Sequence, residues 1–324
     1  MIDGKELSMT EALVDGSMFD SMMFDTREDF EQQFVVLKYP NAFPEANTNP
    51  GKVVKAVKEM IAETGGYKES MISLAHTKLG IKESVTSVFD KLVKGNAPEH
   101  FEELGSLNGR LGVTREKINK FEVLRKQLLN HPTVGWLFKD DITPWDTVKK
   151  IIDSDDKLLQ EVHYQVAVHW VVSDLDCKGL LDIMVIDHEN KTIKGYDLKT
   201  TSSKDHDYEK SAVKYGYDTQ AGMYLLALQA YQQQHEELKD YTLIRDFDFV
   251  FVEKSGTFAP MIFRIGSADT TRAINGGDRY GKRRKGVYTL LHELNWHLKN
   301  DKWEYPQEVY NQGHVTGQIY DNAL

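Results

Sequence analysis

Apolar residues fall into short alternating or continuous blocks between positions 159 and 199, and again between 247 and 265. Val162, Tyr164, Val166 and Val168 recur at every second position, which predicts a half-buried strand. Ile183-Met184-Val185-Ile186, a turn at Asp187-His188-Glu189-Asn190 and then Thr192-Ile193-Lys194-Gly195-Tyr196 predict a β-hairpin. The block Phe247-Asp248-Phe249-Val250-Phe251-Val252 is apolar enough for a central strand, and 261–265 adds another. Between these lies a helix expected over 211–234, with Ala221, Leu225 and Leu228 as its core stripe. Residues 1–36 predict a helix and a short strand, and 50–156 look mainly helical. There 52–61 ends at Gly65-Gly66, 67–92 and 114–129 follow, and Asn130-His131-Pro132 is a stop. A last helix is expected over 267–299, broken at Gly276-Gly277, before a turn-rich aromatic tail. There is no internal repeat. The order strand–strand–strand–helix–strand predicts one α/β domain over 1–324, with a helical insertion near 50–156 and a core near 157–266.

Composition narrows this picture. A chain of 324 residues with 40% hydrophobic content can bury a large core. No apolar run reaches the roughly 18 residues of a membrane span, and the charged start Met1-Ile2-Asp3-Gly4-Lys5-Glu6 has no signal-peptide core. The single cysteine, Cys177, excludes an internal disulfide and fits a reducing, cytoplasmic setting. The net charge of −10 is the main argument against a nucleic-acid enzyme, since phosphate neutralisation drives most binding and a DNA path must be locally basic. Lys282-Arg283-Arg284-Lys285 is the densest basic run, with Arg272 and Arg279 before it. Lys204, Lys210 and Lys214 form a looser set. A solvated loop is the plain alternative for such a run.

The chemistry concentrates on the hairpin. Asp182 and, fifteen positions on, Asp197-Leu198-Lys199 would meet at one end of a small sheet. Two converging carboxylates make a hard oxygen site for Mg²⁺ or Mn²⁺, and an adjacent lysine can hold or deprotonate a water. Gln220 and Tyr224, four apart, share a helix face. Solubilising charges on an edge strand and an incidental helical pair are the bland alternatives. No G-x-x-x-x-G-K-[ST] loop is present, so nucleotide-triphosphate hydrolysis is not expected.

Asp182, Asp197-Leu198-Lys199 and Gln220-x-x-x-Tyr224 together resemble the PD-(D/E)XK nuclease superfamily. Their order and spacing are similar to its exodeoxyribonuclease VIII and RecB-type branch. Cys177-Lys178-Gly179-Leu180-Leu181-Asp182 resembles the branch's C-K-x-x-x-D strand, and 215–224 resembles its post-catalytic helix. A weaker likeness lies at Gly16-Ser17-Met18-Phe19-Asp20, where the branch carries a metal-reaching histidine and this chain has Asp20. The resemblance also places an acid on the first sheet strand, where Glu161 stands. The first motif lies so near Met1 that relatives are expected to carry an N-terminal region lacking here.

The resemblance implies a restriction-endonuclease-like mixed sheet flanked by helices, with a largely helical insertion. It implies one or two Mg²⁺ (or Mn²⁺) ions held by Asp182, Asp197 and the carbonyl of Leu198, with Asp20 and Glu161 completing the set. Lys199 would orient water, and Gln220 and Tyr224 would position the strand. A single cysteine cannot hold the four-cysteine iron–sulfur cluster of some relatives. The implied activity is exonucleolytic degradation of linear double-stranded DNA, 5′ to 3′, in phage-type recombination with a single-strand annealing protein as partner and with oligomer formation open. An endonuclease, a helicase-coupled nuclease and a catalytically silent DNA-end or protein-binding module remain the other readings.

Overall fold

The computed structural model describes residues 10–39, 47–138, 148–202, 207–255, 259–279 and 281–313. The chain divides into two compact units, residues 1–127 with 141–144, and 128–140 with 145–324.

The first unit carries α1 (Glu11–Phe24), α2 (Arg27–Gln33), β1 (Phe34–Leu37), α3 (Asn49–Thr64), α4 (Ser70–Lys78), α5 (Val85–Lys94), α6 (Ala97–Gly105), β2 (Leu111–Thr114) and most of α7 (Arg115–Leu129). Thr10, Thr26, Thr48 and Ser84 cap four of these helices by accepting from backbone amides of the first turn. The amphipathic stripe of α3 (Val53, Val57, Ile61) meets Ile72, Ala75, Val88, Leu92 and Phe101 in a core of its own. The expected helix over 67–92 is two helices, because Gly80 takes a left-handed turn (φ 61°) between α4 and α5. Residues 34–37 pair in parallel with 111–114, a short strand that helical periodicity does not announce.

The second unit is built on β3 (Val148–Ile152), β4 (Leu158–Val172), β5 (Leu175–Asp187), β6 (Thr192–Thr201), β7 (Thr242–Leu243), β8 (Phe247–Glu253) and β9 (Met261–Ile265), in the order β3-β4-β5-β6-β8-β9 with β7 beside β6. β3 falls where a helical insertion is expected, so that insertion stops short of 148. The sheet is mixed: β3 to β6 are antiparallel neighbours, β6 and β8 are parallel, and β8 and β9 antiparallel. A parallel step needs a crossover, and α8 (Tyr208–Tyr215) with α9 (Tyr217–Gln234) supplies it. The single helix expected over 211–234 is broken at Gly216, whose φ of 68° ends one helix and starts the next. α10 (Ser267–Asn275), the small hairpin β10 (Gly277–Arg279) and β11 (Lys282–Arg284), α11 (Val287–Asn300) and α12 (Gln307–Gln312) follow. The expected break at Gly276-Gly277 is therefore a whole hairpin.

The core explains the order of elements. Every residue of β8 is buried, as its apolar run requires of a central strand. Leu225, Leu226 and Leu228 of α9 pack on Val168, Trp170, Leu181, Met184, Ile186 and Ile193 of β4, β5 and β6. The helix approaches β6 at Gly195, where an added Cβ would stand 2.6 Å from Phe247 and 2.8 Å from Leu228. On β8, Asp248 is buried and bound by Lys194 at 2.6 Å and Arg264 at 2.7 and 2.9 Å. Burial opposes its charge, but these two cations outweigh burial and lower its pKa.

The Gly195 contact gives a direct test. Gly195→Ala should destabilise the protein by about 1–3 kcal/mol through overpacking, read as a lower urea midpoint. An unchanged midpoint would show that α9 does not press on β6 at this point.

Candidate active site

The site forms where two strands part. The β5–β6 ladder runs from Asp187↔Thr192 to Ile183↔Tyr196 and ends there, while β6 continues alongside β8. Beyond the last pair, the Leu198 amide donates to the Asp182 carboxylate at 2.9 Å rather than to a backbone carbonyl of β5. On the other side of β5, Asp182 lies opposite Gln165 of β4, whose amide donates to Asp182 at 3.3 Å. Gln165 has a φ of 50°, a left-handed conformation that costs a non-glycine residue on the order of 1–2 kcal/mol. The burial pattern shifts at the same point: Leu181 and Met184, three apart, enter one core cluster, where a regular strand buries every second residue. A local irregularity in both strands thus frees a carboxylate from the sheet ladder.

Asp197 stands across the gap. It is 1% exposed. Lys199 forms an ion pair with its Oδ2, and Gln220 Nε2 donates to its Oδ1 at 3.2 Å. The same amide donates to the Tyr224 hydroxyl at 3.1 Å, and Tyr224 in turn hydrogen-bonds Asp197. The i, i+4 pair of α9 is therefore bound to the acid of β6. The Lys199 ammonium also lies over the rings of Tyr217 (5.9 Å) and Phe249 (5.8 Å), a wall that lowers its contact with water.

Electrostatics follow from this burial. Burial and the neighbouring Asp182 charge push the Asp197 carboxyl up to about 7, against the pull of Lys199. Burial also raises Asp182, despite the Leu198 amide and Lys199. Burial alone would lower Lys199, but Asp197 and Asp182 outweigh it and raise its pKa. Burial, then Asp197, pushes Tyr224 up to about 12. Two buried acids with raised pKa values beside one lysine form a set that a divalent cation would relieve, and the donor set is all oxygen, which suits Mg²⁺ or Mn²⁺. Among the described residues no group of three or more His, Cys, Asp or Glu side chains is arranged around a common metal position.

The other candidates lie elsewhere. Glu161 faces His163 at 3.3 Å and His188 at 3.5 Å, opposite Ile186. It sits four residues along β4 from Gln165, about 13 Å at strand spacing, so the structure does not bring it to the acid pair. The apolar alternation of β4 gave no sign of this offset. Asp20 lies half-buried on α1 in the first unit. The Leu198 side chain is buried core, with its amide turned to Asp182. Lys282, Arg283 and Arg284 form exposed β11, with Arg283 opposite Asp278. Lys285 is bound to Glu293 at 2.6 Å and Glu308 at 3.1 Å, so its charge is engaged. Arg279 is not surface charge: it is buried, pairs with Asp218 at 2.8 Å and donates to Thr219 and the Lys285 carbonyl. Lys204 lies outside the described residues.

Sequence reasoning missed Gln165, Tyr217 and the Arg279–Asp218 pair. Asp218 is two residues before Gln220, so this pair ties the basic hairpin to the first turn of α9. The only hint in the sequence was an acid within an otherwise neutral stretch of helix.

No family model matches the chain, and no curated protein matches it. Among solved structures, one named "Putative exonuclease", from Eubacterium rectale, is 13% identical over 85% of this chain and 93% of that one, with a TM-score of 0.32. At that score the likeness is slight and says nothing about activity.

Two outcomes are expected of the site. A buried acid whose folded pKa is raised from an unfolded value near ~3.9 contributes stability that is fully present below that value and lost as pH rises through about 7. The metal-free protein should therefore lose stability from about pH 4 to about pH 7, the interval between the unfolded and folded values, and level off above it, and Asp197→Asn should flatten that slope in urea titrations. Arg279→Met should destabilise by roughly 3 kcal/mol by leaving Asp218 buried and unpaired; an unchanged urea midpoint would contradict the tie.

Proposed function

We propose that this protein is a metal-dependent deoxyribonuclease. The observation that carries the reading is the Asp197 carboxylate, held by Lys199 and Gln220 beside Asp182 where β5 and β6 part. A bound Mg²⁺ or Mn²⁺ would neutralise charge on the scissile phosphate and lower the pKa of water. Asp182, Asp197 and the Leu198 carbonyl are the groups to hold it.

The chain's own residues have distinct tasks. Lys199 holds the attacking water and stabilises negative charge as the phosphorus gains its fifth oxygen. Its ion pair with Asp197 fixes the ammonium in place, and the Tyr217 and Phe249 rings keep bulk water from it. Gln220 fixes the second oxygen of Asp197, and Tyr224 locks Gln220. Exposed Lys282, Arg283 and Arg284 supply sequence-independent phosphate contacts. The resemblance of the motifs favours exonuclease action on linear duplex DNA, 5′ to 3′, feeding a single-strand annealing partner.

Linear and covalently closed duplex DNA, incubated with Mg²⁺ or EDTA, separates the alternatives. Loss of linear DNA alone, dependent on Mg²⁺ and slowed by at least about 10²-fold in Lys199→Ala, is the expected result. Asp182→Ala and Asp197→Ala should behave alike while remaining folded. Cutting of closed circles would replace the exonuclease reading with an endonuclease. Full activity in Lys199→Ala, or no cleavage with any divalent metal, would contradict the assignment.

A further inference from the structure

The first unit contains a cavity of about 820 Å³ that the catalytic reading does not use. Four arginines line it: Arg27, Arg110, Arg115 and Arg125. Arg27 is paired with Glu31 at 2.8 Å. Among the described residues, Arg110, Arg115 and Arg125 make no ion pair. Arg125 is the most telling. Its Nε is enclosed and has no hydrogen-bond partner, and a buried donor left unmatched is uncommon enough in folded proteins to call for an explanation.

Three acids, Asp25, Glu31 and Glu122, line the cavity with the four arginines, so the lining keeps one net positive charge. Glu31 is taken by Arg27, and Asp25 accepts from Gln33 at 2.9 Å. Glu122 is exposed on the next turn from Arg125. The opposite character is also present: Phe30 and Phe34 line the cavity, stacked at 4.9 Å between ring centroids. Phe30 and Arg27 lie on α2, β1 begins at Phe34, and α7 carries Arg115 and Arg125, so the aromatic wall and three of the arginines sit on regular elements rather than loops.

We propose that this cavity binds a nucleotide. Guanidinium groups match phosphate oxygens in paired hydrogen bonds, and aromatic rings accept any base on their faces. The volume lies within the roughly 300–1,000 Å³ of small-molecule sites. The nucleotide comes either free from solution or as one residue of a single strand; the phosphate-and-base chemistry is common to both. The site belongs to the first unit and does not depend on the activity of Asp182, Asp197 and Lys199.

Calorimetric titration of the full chain with dAMP, in EDTA so that no divalent metal reaches the two acids, tests this. Saturable binding is expected, weakened at least about tenfold in Arg125→Gln and in Arg115→Gln. Phe30→Leu should weaken dAMP but leave inorganic phosphate unchanged. Arg115 is exposed, so its variant stays informative if circular dichroism shows that Arg125→Gln has not folded. A single-stranded oligonucleotide that displaces dAMP at lower concentration would identify the strand as the source, and failure to displace it would identify the free nucleotide. No dAMP binding, binding indifferent to both arginine variants, or equal affinity for inorganic phosphate would overturn the proposal. Loss of cleavage in Lys199→Ala with dAMP binding intact would leave both proposals standing, and loss of dAMP binding with cleavage intact would remove only this one.

Discussion

The buried carboxylate of Asp197 constrains the second unit more than any other group. A lone charge in a sheet interior is costly unless it is paired and hydrogen-bonded. Here Lys199, two residues along the same strand, supplies the charge, and Gln220 and Tyr224 supply hydrogen bonds from the crossover helix. Asp182 adds a like charge from the neighbouring strand, which with burial raises Asp197, while burial raises Asp182 itself. Such an arrangement is poor as a stabilising device and well suited to a cation-binding one, because perturbed pairs of this kind gather at functional sites.

The surrounding fold reads as a support for that arrangement. The ladder between β5 and β6 must end for Asp182 to reach the Leu198 amide, and Gln165, in a left-handed conformation, stands beside it at that point. α9 must lie close to β6 for Gln220 to reach Asp197, and the missing side chain at Gly195 gives that closeness. The first turn of α9 is in turn tied to the β10–β11 hairpin by the buried Arg279–Asp218 pair. Sheet, helix and hairpin therefore fix one another around a polar centre.

Much of this was legible in the sequence because strands and helices bury residues with different periods. The hairpin, the central strand at 247–253 and the Gln220–Tyr224 face could be read from alternation and i, i+4 spacing alone. Gly80 and Gly216, which split expected helices, required left-handed backbone that residue type permits but does not announce. Glu161 was misplaced for a different reason. Strand position was right, but register set it against Ile186 and two histidines, and register is decided by cross-strand pairing. The long-range pair of Arg279 with Asp218, sixty-one residues apart, leaves no local pattern.

Binding of Mn²⁺, counted by electron paramagnetic resonance, tests the central claim most directly, since it asks whether the two acids hold a hard cation without asking for catalysis. The account predicts Mn²⁺ bound by the wild type, displaced by Mg²⁺, and lost in the Asp182→Asn, Asp197→Asn double variant while the protein stays folded. Undiminished Mn²⁺ binding in that folded double variant would contradict it.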